Sequence, residues 1–404
     1  MAGRLGEFGF RHSRITILMR RITALRPHSV GKWNEREVLR VIQARGPLSR
    51  AEVARLSGLS APTVSKAVSS LLQAGLVEES AALEPARGRP ALQLRLATAN
   101  VQVLGVVIDA ARCEVVSAGL DGLLHPEGRS IATPATYPKL IDALAKQCES
   151  LMKTGSITTL GLGVSLPGLI DDRRGLGVLS PNLPITNGQR PAADLEERLG
   201  LPGLLVQESH ALCLAERDYG LAVGLEDFAI MDVGAGVGLG VMSGGRVLNG
   251  HSGLAGEIGH ITVVAEGGRA CGCGNTGCLE TVCNDAAFAH RVGRKLNRIV
   301  GVDEALALVQ SGRGPLAGEL HETAKYLSIA VAAVINLFNP ATVFVHSRLF
   351  AADDGLFQRV VDLTAKRALG PSFADCRISR AKGTKLQGAV AAAVQHLTNA
   401  VAAG

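Results

Sequence analysis

Four residues with metal-binding side chains lie close together in a glycine-rich part of the chain. They are His260, Cys271, Cys273 and Cys278. One imidazole and three thiolates form a tetrahedral zinc set, and the glycines between the cysteines allow the loop to fold tightly around one ion. Because four protein ligands leave no coordination position open, the pattern predicts one structural zinc ion per chain. The alternative is a loop in which reduced cysteines simply pack together.

Two carboxylates flank these residues. Glu257 lies three residues before His260, and Glu280 directly follows the cysteine loop. A zinc-bound imidazole keeps its second ring nitrogen for hydrogen bonding, so the metal would orient His260 toward a ligand. Two carboxylates and a fixed imidazole can bind the several hydroxyl groups of a sugar. These residues therefore predict a sugar site beside the metal.

The other five cysteines are scattered along the chain, which argues against a disulfide framework and for a reducing compartment. No apolar run is long enough to span a membrane, and the N-terminus lacks the apolar core of a signal peptide. The 47% of hydrophobic residues is typical of a globular protein, while 3% of aromatic residues is too few to stack single-stranded nucleic acid. We expect a cytoplasmic protein with no membrane contact.

Positive charge is concentrated at the N-terminal end. Residues 1–100 hold 16 Lys and Arg against 7 Asp and Glu, whereas the rest of the chain holds 26 against 29. A basic head of this kind is typical of nucleic-acid binding. Its first part, residues 1–32, is rich in arginine and has little periodicity, so we interpret it as a flexible basic arm.

Residues 33–97 carry the pattern of a winged helix-turn-helix. Apolar spacing predicts a first helix over residues 35–42. Ser49 and Glu52 form a capping box that starts a second helix, and Ser60 caps a third helix with Pro62 in its first turn. A glycine turn joins these two helices, and two strands with a wing between them follow. The alternative is a winged helix that binds only other proteins.

The outer face of the third helix carries small or polar side chains. They let the backbone approach base edges, and the lysine among them can reach a phosphate or a guanine. Arginines in the wing suit the narrow minor groove. The predicted contacts with a double-stranded DNA operator are Ser60, Pro62, Thr63, Ser65, Lys66, Arg87 and Arg89.

Residues 98–404 predict an α/β body, because short apolar strands alternate with helices. Its length suits two lobes with a ligand cleft between them. We place the division between the lobes near residues 210–220 and expect the C-terminal helix to return to the first lobe. The predicted strands are 104–108, 160–164, 204–206, 229–233 and 343–345, and the predicted helices are 137–151, 210–219, 286–297 and 319–336.

The segment of residues 251–280 resembles the signature of the ROK family, which comprises bacterial sugar kinases and repressors with an added helix-turn-helix. Further similar segments lie at residues 165–168, 180–183 and 339–340, so the resemblance covers nearly the whole chain from Trp33. It implies a two-lobed fold related to actin and hexokinase. It also implies that Glu257, His260 and Glu280 bind sugar hydroxyls, and that His260 holds zinc with the three cysteines.

The chain departs from the kinases of this family at the nucleotide site. The loop after the first strand is Asp109-Ala-Ala-Arg112, without the glycines whose N–H groups would cradle phosphates. The kinases of this family carry a Gly-Gly pair after the late strand that admits adenosine. This chain has His346-Ser347-Arg348 there, so we expect bulky side chains to fill that site. A second glycine-rich loop, residues 232–240, is intact, although tight strand turns share its composition.

Two further departures concern the predicted sugar site. Glu208 stands at the position of the family's catalytic aspartate, and Gln207 at that of its sugar-binding asparagine. A carboxylate that is one methylene longer is misplaced for catalysis, so we interpret Glu208 as a vestigial base and both residues as contacts to an effector. We therefore predict a sugar-responsive repressor of carbohydrate-metabolism genes, active as a homodimer or homotetramer. The alternative is an ATP-dependent sugar kinase with an autoregulatory DNA-binding head.

Overall fold

The computed structural model describes residues 27–80, 92–153, 157–312 and 316–401. They divide into two compact units: the residues up to Arg95 together with those from Thr398 onward, and Leu96–Leu397. Most of the expected basic arm, and the wing arginines Arg87 and Arg89, lie outside the described residues. Within the described ranges, we find no helix that combines the length and the apolar character needed to cross a membrane.

The first unit contains three helices and a small sheet, which form the winged helix-turn-helix that the sequence predicts. Apolar side chains from the three helices, among them Val38, Val53 and Val64, are buried, as is Leu94 of the last strand. The helices are α1 (Pro27–Arg45), α2 (Arg50–Ser57) and α3 (Ala61–Gln73). The strands are β1 (Leu48–Ser49), β2 (Val77–Ser80) and β3 (Gln93–Leu96), in the order β1-β3-β2.

The first helix begins earlier than predicted. It starts at Pro27, so residues 27–32 are helical and do not belong to an arm. Proline is well suited to the first turn of a helix. The sequence pattern missed this part because Gly31 has a low helix propensity and apolar residues are sparse before Glu35.

Both predicted helix caps of the first unit are present. The Ser49 hydroxyl accepts a hydrogen bond from the Glu52 N–H, and the Glu52 carboxylate accepts one from the Ser49 N–H at 2.8 Å. Ser60 caps α3 by accepting a hydrogen bond from the N–H of Thr63. In α3, Val64 and its apolar neighbours are buried while Lys66 is exposed. The helix therefore presents a polar outer face, as its pattern predicts.

The second unit contains two five-stranded sheets and a short hairpin. The first sheet comprises β4 (Val101–Ile108), β5 (Arg112–Ala118), β6 (Arg129–Ala132), β7 (Thr158–Leu166) and β10 (Gly203–Gln207). The second comprises β11 (Phe228–Val233), β12 (Val237–Ser243), β13 (Arg246–Val247), β14 (Thr342–Ser347) and β15 (Arg377–Arg380). The hairpin pairs β8 (Leu169–Asp171) with β9 (Leu176–Leu179).

The two sheets have the same topology. Their orders are β10-β7-β4-β5-β6 and β15-β14-β11-β12-β13. In each sheet the first strand is central, pairs antiparallel with the second strand and parallel with the fourth. This repeated plan is the two-lobed α/β fold that the family resemblance implies.

Helices cover the outer faces of both sheets. Side chains of α4 and α5 pack with the first sheet, and those of helices α7 to α12 pack with the second. The helices are α4 (Tyr137–Met152), α5 (Pro191–Leu199), α6 (Glu208–Tyr219), α7 (Glu280–Cys283), α8 (Asp285–Leu296), α9 (Val302–Gln310), α10 (Ala317–Phe338), α11 (Leu349–Ala352), α12 (Asp354–Ala365), α13 (Gly370–Asp375) and α14 (Lys385–Val401), with single 3₁₀ turns at Pro184–Thr186 and Ile258–His260.

The inner faces of the sheets are covered by α14 and α6, and glycines make this possible. A Cβ atom at Gly163 of β7 would lie 1.9 Å from the carbonyl oxygen of Ala389 in α14. A Cβ atom at Gly240 of β12 would lie 2.6 Å from the carbonyl oxygen of Ser209 in α6. The two helices also touch each other, because a Cβ atom at Gly388 would overlap Ala211. Helices α6 and α14 thus form a central layer between the sheets.

A buried carboxylate joins these two helices. Glu216 of α6 has no solvent exposure. Its Oε1 atom accepts hydrogen bonds from the N–H groups of Lys382 and Gly383, the latter at 2.6 Å, and its Oε2 atom accepts one from Leu221 at 2.7 Å. Since a buried charge is stable only when it is hydrogen-bonded, these donors fix the segment that leads into α14.

Substitution of Gly163 by alanine should destabilise the second unit by about 3 kcal/mol, because the new methyl group overlaps the α14 backbone. Urea unfolding of the purified chain measures this. The matched control is Gly318→Ala in α10, where a Cβ atom meets nothing within 4 Å and alanine improves helix propensity. Equal stability of the two variants would contradict the packing described for α14.

His210 of α6 is only 3% exposed. Burial lowers the pKa of its imidazole to about 4, against 6.5 for an ordinary histidine, although a hydrogen bond with the Ala255 backbone raises it. Between about pH 4 and pH 6.5, the imidazole is therefore neutral in the folded state and protonated in the unfolded state. We expect stability that is present above pH 6.5 to be lost as the pH falls toward 4, by up to roughly 3 kcal/mol.

Urea unfolding of the wild-type chain and of His210→Asn between pH 7 and pH 4 tests this expectation. The free-energy difference between the two proteins should shrink as the pH falls, since the asparagine does not titrate. Parallel pH profiles would show that His210 is not the group responsible.

Candidate functional site

The four predicted metal ligands come together in the structure. Their ligand atoms all lie within 4.8 Å of one another. The Cys273 and Cys278 sulfur atoms are 3.8 Å apart, and Cys271 Sγ lies 3.6 Å from His260 Nδ1. Zinc–sulfur bonds of about 2.3 Å place the sulfurs of a tetrahedral site about 3.8 Å apart, so the spacing fits that ion. The group forms a candidate metal centre.

Local backbone structure holds these ligands in position. His260 ends the 3₁₀ turn Ile258–His260. In the cysteine loop, the Cys271 N–H bonds to the carbonyl oxygen of Asn275 at 2.8 Å. Gly277 has a φ of 72°, and a Cβ atom there would lie 1.9 Å from the carbonyl oxygen of Val264. The loop closes because glycine alone fits this position.

The predicted sugar-binding residues lie beside the candidate metal centre. His260 Nε2, on the side of the ring away from Cys271, is 3.7 Å from a carboxylate oxygen of Glu257. The Gln207 amide donates to the other Glu257 oxygen at 2.8 Å. Glu280 accepts a hydrogen bond from the Val237 N–H at 3.2 Å. We call Gln207, Glu257, His260 and Glu280 the polar cluster.

Electrostatics tie the members of the polar cluster together. Burial raises the pKa of the Glu257 carboxyl, while His260 and the Gln207 hydrogen bond oppose the shift. Burial likewise raises the pKa of Glu280, again opposed by His260. Glu257 and His260 each keep about a quarter of their side-chain surface exposed, at 26% and 25%. A ligand can therefore reach a carboxylate and an imidazole at one place.

The remaining predicted contact, Glu208, lies in a second cluster with a lysine that the sequence analysis missed. Lys385 Nζ is 2.6 Å from a Glu208 oxygen and 2.9 Å from an Asp232 oxygen. The other Asp232 oxygen is 2.7 Å from His346 Nδ1. We call Glu208, Asp232, His346 and Lys385 the lysine cluster. Lys385 gave no sequence signal because 177 positions separate it from Glu208.

The charges of the lysine cluster shift one another's pKa values. Burial raises the pKa of the Glu208 carboxyl, and the Lys385 ammonium opposes this. Burial would also raise the pKa of Asp232, but Lys385 and His346 outweigh it and bring the value to about 2. Burial would lower the pKa of Lys385, yet the two carboxylates raise it. The ammonium and the Asp232 carboxylate thus remain charged at neutral pH.

The segments that depart from the kinase pattern have their own contacts. Arg112 donates two hydrogen bonds to the Ser130 hydroxyl, at 3.1 and 2.9 Å. Arg348 contacts Asp303 and lies 3.8 Å from the Asp285 carboxylate. In the glycine-rich loop 232–240, Gly240 is required for the packing of α6, so that this glycine has a structural cause.

The predicted DNA contacts of α3 lie near its start. Ser60, Pro62, Ser65 and Lys66 are exposed, and Thr63 is partly buried. The Ser60 and Thr63 hydroxyls hydrogen-bond to each other at 2.8 Å as part of the cap. Lys66 is therefore the cation that α3 presents on its outer face.

Two family models match this chain, and they do not overlap. The model described as "ROK family" matches residues 111–398, and the model described as "Winged helix-turn-helix DNA-binding" matches residues 34–78. The first therefore covers most of the second unit, and the second covers α2, α3 and part of α1 in the first unit.

Known transcriptional regulators are similar to most of the chain. It is 30% identical over 353 residues to the DNA-binding transcriptional dual regulator NagC of Escherichia coli K12, covering 84% of this chain and 86% of NagC. A solved ROK family transcriptional regulator, a homologue of the E. coli Mlc protein, superposes with a TM-score of 0.80 at 23% identity over 93% of this chain and 98% of its own.

A kinase of the same fold is similar to the second unit. The ROK hexokinase of Thermus thermophilus superposes with a TM-score of 0.63 at 28% identity, covering 74% of this chain and 99% of the hexokinase. From the family match and the similarity to NagC, the chain is a member of the ROK family that carries an N-terminal winged helix-turn-helix.

Proposed function

We propose that this chain is a DNA-binding transcriptional repressor of carbohydrate-metabolism genes, whose affinity for its operator is changed by a sugar or sugar derivative. The observation that carries the proposal is the presence, in one chain, of a capped helix with an exposed Lys66 and of the polar cluster beside a metal-ligand set. The similarity to NagC along both units supports it.

The effector contacts in this proposal are Gln207, Glu208, Glu257, His260 and Glu280. Carboxylates accept hydrogen bonds from hydroxyl groups, while the glutamine amide both donates and accepts. The hydrogen bond between Gln207 and Glu257 fixes the orientation of both side chains before a ligand arrives. A ring of hydroxyl groups fits this set better than an anionic group does, because three of the five residues are carboxylates.

The metal in this proposal is one structural zinc ion, held by His260, Cys271, Cys273 and Cys278. Zinc bound to four protein ligands supplies no open coordination position, and its contribution is folding energy and orientation. Since Nδ1 of His260 faces Cys271, Nε2 remains for the effector.

The chain acts as a regulator in this proposal, and phosphoryl transfer is not its role. Two backbone amides of the glycine-rich loop are already bonded, since the Val237 N–H donates to Glu280 and the Gly234 N–H donates to the carbonyl oxygen of Gly236. Glu208, at the position of the base, is bonded to Lys385. The second candidate function is an ATP-dependent sugar kinase. The similarity to the Thermus thermophilus hexokinase is the observation that supports it.

DNA binding by a homodimer or homotetramer completes the mechanism we propose. A dimer places two recognition helices in successive major grooves of a palindromic operator. A sugar that binds one arrangement of the two lobes more tightly than the other then shifts the population of the DNA-binding state. The difference in the sugar's affinity for the two arrangements sets the size of this shift.

Two substitutions should separate the two activities. Glu257→Gln removes the charge that faces His260, so it should abolish the response to sugar and leave operator binding intact. Lys66→Ala should weaken operator binding and reduce the salt dependence by about one charge, while sugar binding stays unchanged. Fluorescence anisotropy of operator DNA, with and without a panel of monosaccharides and sugar phosphates, measures both effects, and Lys139→Ala on α4 is the control.

An operator affinity that no sugar in the panel changes would overturn the effector part of the proposal. Release of ADP from ATP in the presence of hexoses, at an ordinary kinase rate of about 10 per second, would establish the kinase instead.

Metal analysis of the purified protein should find about one zinc ion per chain, and chelation should lower the midpoint of thermal unfolding. Cys273→Ser should lose the metal because it removes one of four ligands, whereas Cys376→Ala, a buried thiol outside the group, should keep it. Full zinc content in Cys273→Ser would contradict this set of ligands.

A further inference from the structure

The Lys385 ammonium lies between carboxylates from two different parts of the second unit. Glu208 is the first residue of α6, and Asp232 is near the end of β11 in the second sheet. Lys385 itself is the first residue of α14. The Nζ atom is 2.6 Å from one carboxylate and 2.9 Å from the other. One positive charge thus connects the start of both central helices to the second sheet.

Stability alone is a weak explanation for this arrangement. The Asp232 side chain is 5% exposed, and those of Glu208 and Lys385 are 22% and 21% exposed. Desolvation of a largely buried ion pair cancels much of its attraction, and apolar replacements are often as stable. Because the ion pair contributes little net stability, a role in determining which ligands bind to this site explains it better.

The two carboxylates have the chemistry of a divalent-cation site. Mg²⁺ and Mn²⁺ prefer oxygen ligands, and proteins commonly bind Mg²⁺ through one or two carboxylates together with substrate phosphates. The Lys385 ammonium occupies the position between the two carboxylates that such a cation would take. Its surroundings add to the match, because Asp232 begins the glycine-rich loop and the Asp285 N–H donates to the carbonyl oxygen of Gly234 in that loop at 2.9 Å.

We propose that Lys385 is a built-in cation that takes the place of a divalent metal between Glu208 and Asp232, and that it thereby excludes metal–phosphate ligands from this site. The chain carries its counter-charge permanently, and the site has no vacancy for a metal-bound nucleotide. Recognition of other ligands is then the role of the neighbouring polar cluster together with Glu208. The inference rests on the positions of three side chains and is independent of whether the chain binds DNA or sugar.

Removal of the ammonium should create a metal site. We expect the full-length Lys385→Met variant to bind one Mn²⁺ ion roughly tenfold or more tightly than the wild type, as measured by electron paramagnetic resonance of free Mn²⁺. Lys382→Met is the matched control, because Lys382 is an exposed lysine three residues away. It should bind Mn²⁺ as weakly as the wild type does.

Adding Glu208→Gln to Lys385→Met should abolish the gain, since it removes one of the two carboxylates. The proposal is wrong if folded Lys385→Met binds Mn²⁺ no better than the wild type does, or if the gain survives Glu208→Gln. A purely structural lysine would change stability and leave Mn²⁺ affinity unchanged.

Lys385→Met removes the ammonium that both carboxylates share and can therefore lower stability. The same proposal then predicts chemical rescue, because an ion that binds only the folded state stabilises it. Millimolar Mn²⁺ should raise the unfolding midpoint of Lys385→Met and leave those of the wild type and Lys382→Met unchanged. An unfolding midpoint of Lys385→Met that does not respond to Mn²⁺ would overturn the proposal.

Discussion

The buried carboxylate of Glu216 is the constraint on which the centre of the second unit depends. A charge without solvent contact must find hydrogen-bond donors, and this one takes backbone N–H groups from Leu221, Lys382 and Gly383. These hydrogen bonds therefore fix the distance between α6 and the turn before α14. Gln207 and Glu208 lie at the other end of α6, and Lys385 lies at the start of α14. The Glu216 carboxylate therefore helps to position residues of both the polar cluster and the lysine cluster.

Glycine residues likewise determine how closely the central helices α6 and α14 pack on the sheets. The close approach of Gly163 to α14 and of Gly240 to α6 brings helix backbones almost into contact with strands. The glycine-rich loop of residues 232–240 thus has two explanations that sequence cannot separate. Composition alone is compatible with a phosphate cradle, but the neighbours of Gly240 assign that glycine to helix packing.

Features that depend on neighbours in sequence were predictable, and those that depend on distant residues were not. The caps at Ser49 and Ser60 and the cysteine loop are local, so spacing alone placed them. The two sheets followed from apolar runs and from the family resemblance. The ion pair of Lys385 with Glu208 had no local signal, and neither did the contact of His346 with Asp232 across 114 positions. Such pairs arise when the repeated sheets and their central helices are assembled.

The position of α14 at the end of the described chain has a consequence for biosynthesis. A ribosome makes the strands of the first sheet, β4 to β7 and β10, long before it makes residues 385–397, which cover the inner face of that sheet. The nascent first lobe therefore exposes an apolar, glycine-lined surface throughout the synthesis of the second lobe. Such surfaces are the ones that chaperones protect, and this one closes only after α14 leaves the exit tunnel.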